Sequence, residues 1–241
     1  MNSDKVFYVI VTVITIVLFG GIILVASKPK TTTQSNETAN QVIPLEEIIG
    51  TSPNTNLPTD KAKVVVVEVS DFECPACKSM WATVNKIIAD YGTEVSVVYR
   101  QFPLTSIHNY AYNAAKASEA AGIQGKFFDY QDILFRNQTD NSNPLKEEDF
   151  ISFATELNLD IEKFKQDYSS DAVKAQVDED IKYANSLGVN STPTFYIDGK
   201  KIDHSKISLY DEVKRLVMEK NIQVEVNGEP AQVDVESGES K

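Results

Sequence analysis

The sequence predicts an α/β fold: one mixed sheet, a block of helices inserted between its two halves, and an apolar segment ahead of it. Three observations carry this reading. Lys63 to Val69 is a run of β-branched residues of strand length, apolar on both faces, as in a strand covered from both sides. From Ile107 to Leu187 apolar residues recur at helical spacing, with no convincing strand. Beyond them, TPTFYIDGKKID reads as a hairpin turning at Asp198-Gly199.

Taken in order, Val6 to Ala26 carries no charge. At about 1.5 Å per residue it reaches the ~30 Å of a hydrocarbon core. A cleaved signal is the alternative, but the run is long for one and Ala26-Ser27-Lys28 is a poor cleavage site. The expectation is therefore a retained transmembrane anchor at 6–26; its flanking charges barely orient it, and the redox chemistry read below places residues 1–5 in the cytoplasm. Residues 27–60, rich in Thr, Ser, Asn and Pro, read as a flexible linker, with at most a short strand near Val42 to Ile49. The first sheet strand, Lys63 to Val69, leads into a helix from Cys74 or Pro75 to about Ala89. Val95 to Gln101 is a second strand, broken by Phe102-Pro103-Leu104. Four or five helices occupy about 105–188, stopped by Gly188. The hairpin follows, then a helix over Ile207 to Lys220. The acidic tail, 221–241, is read with a loose turn at Asn227-Gly228. A βαβ unit followed by a ββα unit is the thioredoxin arrangement, here with a helical insertion, within a domain spanning 61–220.

The net charge of −12 and pI near 4.7 exclude a nucleic-acid backbone or an anionic membrane surface as partner, since both need a basic face. All the cysteine lies in SDFECPACK: Cys74 and Cys77, separated by Pro75 and Ala76. Two cysteines make no disulfide scaffold. Zinc needs four ligands, and His108 and His204 stand far from each other in the chain, so no metal and no cofactor are expected. A CxxC opening a helix after a buried strand reads instead as a redox pair. The free N–H groups and dipole of the helix start stabilise a thiolate on Cys74, and Cys77 lies one turn in. Cys74 is the expected attacker and Cys77 the resolver. Pro75 suits the first turn, where its missing N–H had no partner.

VVEVSDFECPACK, YRQFPL with His108 shortly after, NAAKASEAAGIQGKFFDYQDILF and GVNSTPTFYIDGK occur in that order. Together they resemble the DsbA-like branch of the thioredoxin superfamily, and in particular its membrane-anchored Gram-positive forms. The resemblance covers about 61–220. It implies a protein thiol–disulfide oxidoreductase acting on cysteines of secreted or surface proteins, outside the cytoplasm, as a dithiol oxidase. A reductase, an isomerase or a non-catalytic binding module would use the same scaffold. It also implies a quinone-linked membrane partner, DsbB-like or similar to vitamin K epoxide reductase. Cys74 and Cys77 match the family's redox pair, and Thr192-Pro193 its cis-proline loop, with an ordinary trans turn as the alternative. Pro193 is then a site residue, and Thr192, Pro75 and Ala76 are expected at the substrate. Glu68 matches the family's buried acid, a proton acceptor for Cys77; a water-facing carboxylate, or a partner for Lys86, is the other reading. The strongest oxidants of the family carry histidine where this chain has Ala76. Glu73 would oppose the thiolate if it points inward. His108 either flanks the site or caps a helix. Trp81, Phe127, Phe128 and Tyr130 are read as core before groove. The acidic stretch from Asp140 to Lys182, including TDNSNP, is read as a solvated face before a calcium loop.

Overall fold

Runs of β-branched residues set the sheet. In the computed structural model, which describes residues 42–139 and 143–227, β1 (Val64–Ser70) is its central strand. It is followed by α2 (Pro75–Tyr91) and β2 (Val95–Gln101); a short helix, α1 (Leu45–Ile49), precedes it. Five helices form the insertion: α3 (Ala111–Ile123), α4 (Phe127–Arg136), α5 (Glu147–Glu156), α6 (Ile161–Tyr168) and α7 (Asp171–Ser186). Then come β3 (Thr194–Ile197), β4 (Lys200–Ile202) and α8 (Leu209–Asn227). The sheet order is β2-β1-β3-β4, with β1 parallel to β2 and antiparallel to β3.

Alternation along β1 explains its burial on both faces. Val64 and Val66 pack with Val84 and Ile87 of α2 and Val213 and Val217 of α8. Val65, Val67 and Val69 pack with Ile48 of α1 and Ala184 of α7 on the opposite side. Glu68 and Ser70 share the parity of Val64 and therefore face α2. The insertion has its own aromatic core. Ala114, Ala117, Ala120 and Ala121 let α3 approach Tyr130, Phe150 and Phe164 closely, and that core runs on to Phe72, Tyr99, Cys74 and Cys77. Asp160 and Ser170 cap α6 and α7 through the N–H groups of Lys163 and Val173. Gly188, at φ +68°, ends α7. Asp198 and Gly199, at φ +46° and +81°, make the two-residue hairpin turn.

Several expectations are corrected. Val42 to Ile49 forms no strand: Val42 makes one bridge to Lys200, and Leu45–Ile49 is helical behind Pro44. Nor is 42–60 a flexible linker. Ile48 is fully buried, Thr55 bridges Val98, and Asn54 and Asn56 bond to the open edge of β2, which covers an otherwise unpaired strand. Helix α2 runs to Tyr91, and α8 to Asn227, so the first arm of the turn expected at Asn227-Gly228 is helical. The anchor at 6–26, the linker up to residue 41, Asp140 to Ser142 of TDNSNP and the tail beyond 227 lie outside the described residues. Among the described residues no helix is long and apolar enough to cross a membrane.

One buried ion pair ties these layers together. Arg100 pairs with Asp180 of α7 at 2.9 Å, donates to the Ile49 carbonyl at 2.6 Å and lies over the Tyr183 ring. The neighbouring Gln101 donates from its backbone to Asp180 and from its side chain to Glu119, which also accepts from Asn54. Burial pushes the Asp180 carboxyl up, to about 6, with Arg100 opposing. Arg100→Ala is therefore expected to destabilise the fold by roughly 3–5 kcal/mol, because it leaves a buried carboxylate uncompensated. Chemical denaturation at neutral pH measures the loss, and a value below about 1 kcal/mol would rule out this role.

Candidate active site

The end of β1 and the start of α2 place the two sulfurs. Asp71 accepts the Glu73 N–H at 2.7 Å in a tight turn, and its backbone carbonyl accepts from Cys74. Cys74 is the N-cap of α2, with Pro75 in the first turn. Both thiols are free. Cys77 is fully buried, and Cys74, the expected attacker, is only 7 % exposed. Pro75 and Ala76 are exposed between them.

The two sulfurs differ electrostatically. The Cys74 thiol is lowered to about 5 by the Cys77 side chain first, then by Thr192 and the backbone N–H groups of Cys77 and Ala76, against the opposing effect of burial. Cys77 is pushed well up, chiefly by burial and then by the Cys74 sulfur. The arrangement favours one anion, at the outer position. Thr192-Pro193 is cis and brings residue 192 to the pair: the Cys74 thiol donates to the Thr192 carbonyl at 3.5 Å. The Thr192 hydroxyl, buried without a well-formed hydrogen bond, lies close enough to the sulfur to favour the anion. Pro193 itself is buried.

Beneath the pair lies a carboxyl. Glu68 is 1 % exposed and pairs across the sheet with Tyr99. Burial pushes it up to about 7, with Ser70 offsetting part of the effect, although neither oxygen makes a well-formed hydrogen bond to protein. The water-facing reading is thus overturned, and so is the pairing with Lys86, which binds Asp90 at 2.6 Å. Ser70 and Tyr99 also carry buried hydroxyls without protein partners, and the charges on Glu68 and Cys77 hold the Tyr99 hydroxyl protonated after burial itself. Strand alternation places both beneath α2, a signal present in the sequence that the site assignment did not use.

Glu73 does not face the thiolate. It is buried and accepts the N–H groups of Tyr110 and Ala111 at the start of α3. His108 caps no helix; its Nδ1 lies 2.7 Å from Asp71, three residues before Cys74. Gln138, which nothing local in the sequence singles out, donates to the carbonyls of Phe72 and Cys74. Phe127 and Tyr130 are core, whereas Trp81 is half-buried and donates to Asp132. Among the described residues no group of three or more His, Cys, Asp or Glu side chains converges as a metal site would.

The sequence profile of a family described as Thioredoxin matches residues 58–218. Among solved structures, the chain is similar to BdbD from Bacillus subtilis, at 24% identity over 75% of this chain and 98% of that one, with a TM-score of 0.61. It is also similar to a thioredoxin-like oxidoreductase from Silicibacter pomeroyi, at 25% identity over 74% of this chain and 98% of that one, with a TM-score of 0.59. A curated relative, Na(+)/H(+) antiporter NhaA 1 from Salinispora arenicola, is 36% identical over 141 residues, which is 58% of this chain. The match spans about a fifth (21%) of that relative, so antiport is not carried over to this chain.

Two outcomes are expected from this geometry. Glu68, held at about 7 instead of the usual 4.5, contributes stability that is fully present below 4.5 and lost as pH rises through 7. Glu68→Gln should therefore remove roughly 3 kcal/mol of the fall in stability across that window, read by denaturation against pH. An unchanged pH slope would mean the carboxyl is solvated. Thr192→Val should raise the Cys74 value by roughly one pH unit through loss of a donor to the anion. Thiolate absorbance against pH reads it; no change would exclude the hydroxyl.

Proposed function

Because this chain belongs to the thioredoxin family, as a thiol–disulfide oxidoreductase of the DsbA-like kind, we propose that it is an extracytoplasmic dithiol oxidase of secreted or surface proteins. What supports the direction is the asymmetry of the sulfurs: Cys74 sits at the N-cap of α2 against Thr192, which with Cys77 holds its thiol down to about 5, while Cys77 is fully buried and pushed up. A disulfide oxidises well when its reduced form is stable, and here that form contains a stabilised thiolate.

A substrate thiolate attacks the Cys74 sulfur of the Cys74–Cys77 disulfide. The S–S bond breaks, a mixed disulfide forms, and Cys77 leaves as a thiolate that takes a proton. Glu68, poised near 7 beneath it, supplies that proton. A second substrate thiolate then attacks the substrate sulfur of the mixed disulfide and releases the Cys74 thiolate. The substrate has lost two electrons and the pair has gained them. In re-oxidation the Glu68 carboxylate takes the Cys77 proton back. Thr192, beside the cis bond, offers its backbone to an extended substrate in the manner of strand addition.

Two cysteines cannot re-oxidise themselves, so an electron acceptor is required. In this reading it is a quinone-linked membrane enzyme, DsbB-like or similar to vitamin K epoxide reductase. The apolar stretch Val6 to Ala26 supports a single-pass anchor with the catalytic domain outside the cell membrane, on the same surface as that acceptor.

The test is trapping. Cys77→Ser, whose Cys74 thiolate can open a substrate disulfide but has no neighbouring thiol to release the product, should accumulate mixed disulfides, and Cys74→Ser should not, as compared on non-reducing gels of surface proteins. Equal trapping by both variants would overturn the assignment of attacker and resolver. A glutathione titration giving a potential at or below that of thioredoxin, about −270 mV, would make the protein a reductase.

A further inference from the structure

Each residue from Asp71 to Cys74 is held by the chain that follows β2. Asp71 accepts from the Leu104 N–H at 2.8 Å and lies against His108. Glu73 accepts from the first N–H groups of α3. The remaining two are held by one side chain: the Gln138 amide, just past the end of α4, donates to the Phe72 carbonyl at 2.8 Å and to the Cys74 carbonyl at 3.0 Å. We infer that Gln138 is a positioning residue of the redox site, an amide through which the helical insertion sets how well the CPAC loop supports a Cys74 thiolate. The inference deepens the proposed function and rests on it for its meaning.

The argument is electrostatic and has a definite sign. The Cys74 carbonyl already accepts the first helical bond, from the Lys78 N–H at 3.1 Å. Gln138 supplies its second donor and also satisfies the carbonyl two residues earlier. Two carbonyl dipoles of the redox loop, those of Phe72 and Cys74, are thereby compensated. Without that donor the carbonyls' negative ends are less compensated, in surroundings of low dielectric where such dipoles act strongly. The thiolate is then less stable. The two bonds also fix the turn that aims the N–H groups of Ala76 and Cys77 at the sulfur.

The experiment uses the full chain with Gln138→Ala, and Gln138→Met as a variant of similar length that keeps the packing but has no donor. Asn137→Ala is the control, since it removes a bond inside the insertion, to the Ile133 carbonyl, that does not reach the redox loop. Thiolate absorbance against pH and a glutathione titration are recorded for all four proteins. Both Gln138 variants should show roughly a 3- to 10-fold lower thiolate fraction below the Cys74 midpoint. Their equilibrium with glutathione should move by a similar factor toward the disulfide, about 15–30 mV toward the reducing side at about 30 mV per tenfold. Asn137→Ala should match the wild type. Curves that overlay the wild type, or an equal shift in Asn137→Ala, overturn the inference. A wild type that does not exchange with glutathione would instead overturn the functional reading, and the absorbance curves would still decide the role of Gln138.

Discussion

A sulfur anion at the first turn of α2 is the constraint to which the remaining structure answers. Backbone N–H groups stabilise it only if the turn is rigid, and a turn is rigid only if the strand before it cannot move. Strand β1 meets that need by burial on both faces: a shift of one residue would bring Val65 and Val67 to the side of α2 and Glu68 to the side of α7. The register that protects the valines is also the one that sets Glu68 under Cys77.

The acidic groups around the pair are sorted by distance and by partner. Glu73, adjacent to Cys74, spends its charge on the N-terminus of α3, where two N–H groups and the helix dipole receive it. Glu68 has no such outlet, and burial holds it near 7, where it is about half protonated at neutral pH. A fully charged, unpaired carboxylate at that depth would cost several kcal/mol. Near 7, it is a group that can hold or release a proton at little cost. The same burial that makes Glu68 a poor structural residue makes it a serviceable acid and base.

Local pattern made much of this legible. Uninterrupted valines gave away β1, Gly188 and the Asp198-Gly199 pair marked a helix stop and a turn, and CPAC after a strand located the sulfurs. The misread parts are those in which non-local partners override composition. Residues 42–60 look like tether because Ser, Asn, Thr and Pro dominate them, yet Asn54 and Asn56 act as surrogate strand backbone along β2. Glu73 reads as a threat to the thiolate until α3 supplies its partners. Gln138 lies in a polar stretch after α4, and only the packing of the insertion brings it to Phe72 and Cys74.

The stretch ahead of residue 58 has a bearing on what counts as the folding unit. The match to the family's sequence profile begins there. Yet Arg100 places a nitrogen on the Ile49 carbonyl, Glu119 takes a bond from Asn54, and Ile48 fills the face of the sheet beneath α7. A polypeptide trimmed to the matched part would keep every residue of the redox chemistry while losing the cover over its edge strand and two of the partners of its buried charges. The border of the sequence match and the border of the packed sheet therefore differ on this molecule: the cover over β2 and a partner of Arg100 lie ahead of the matched residues.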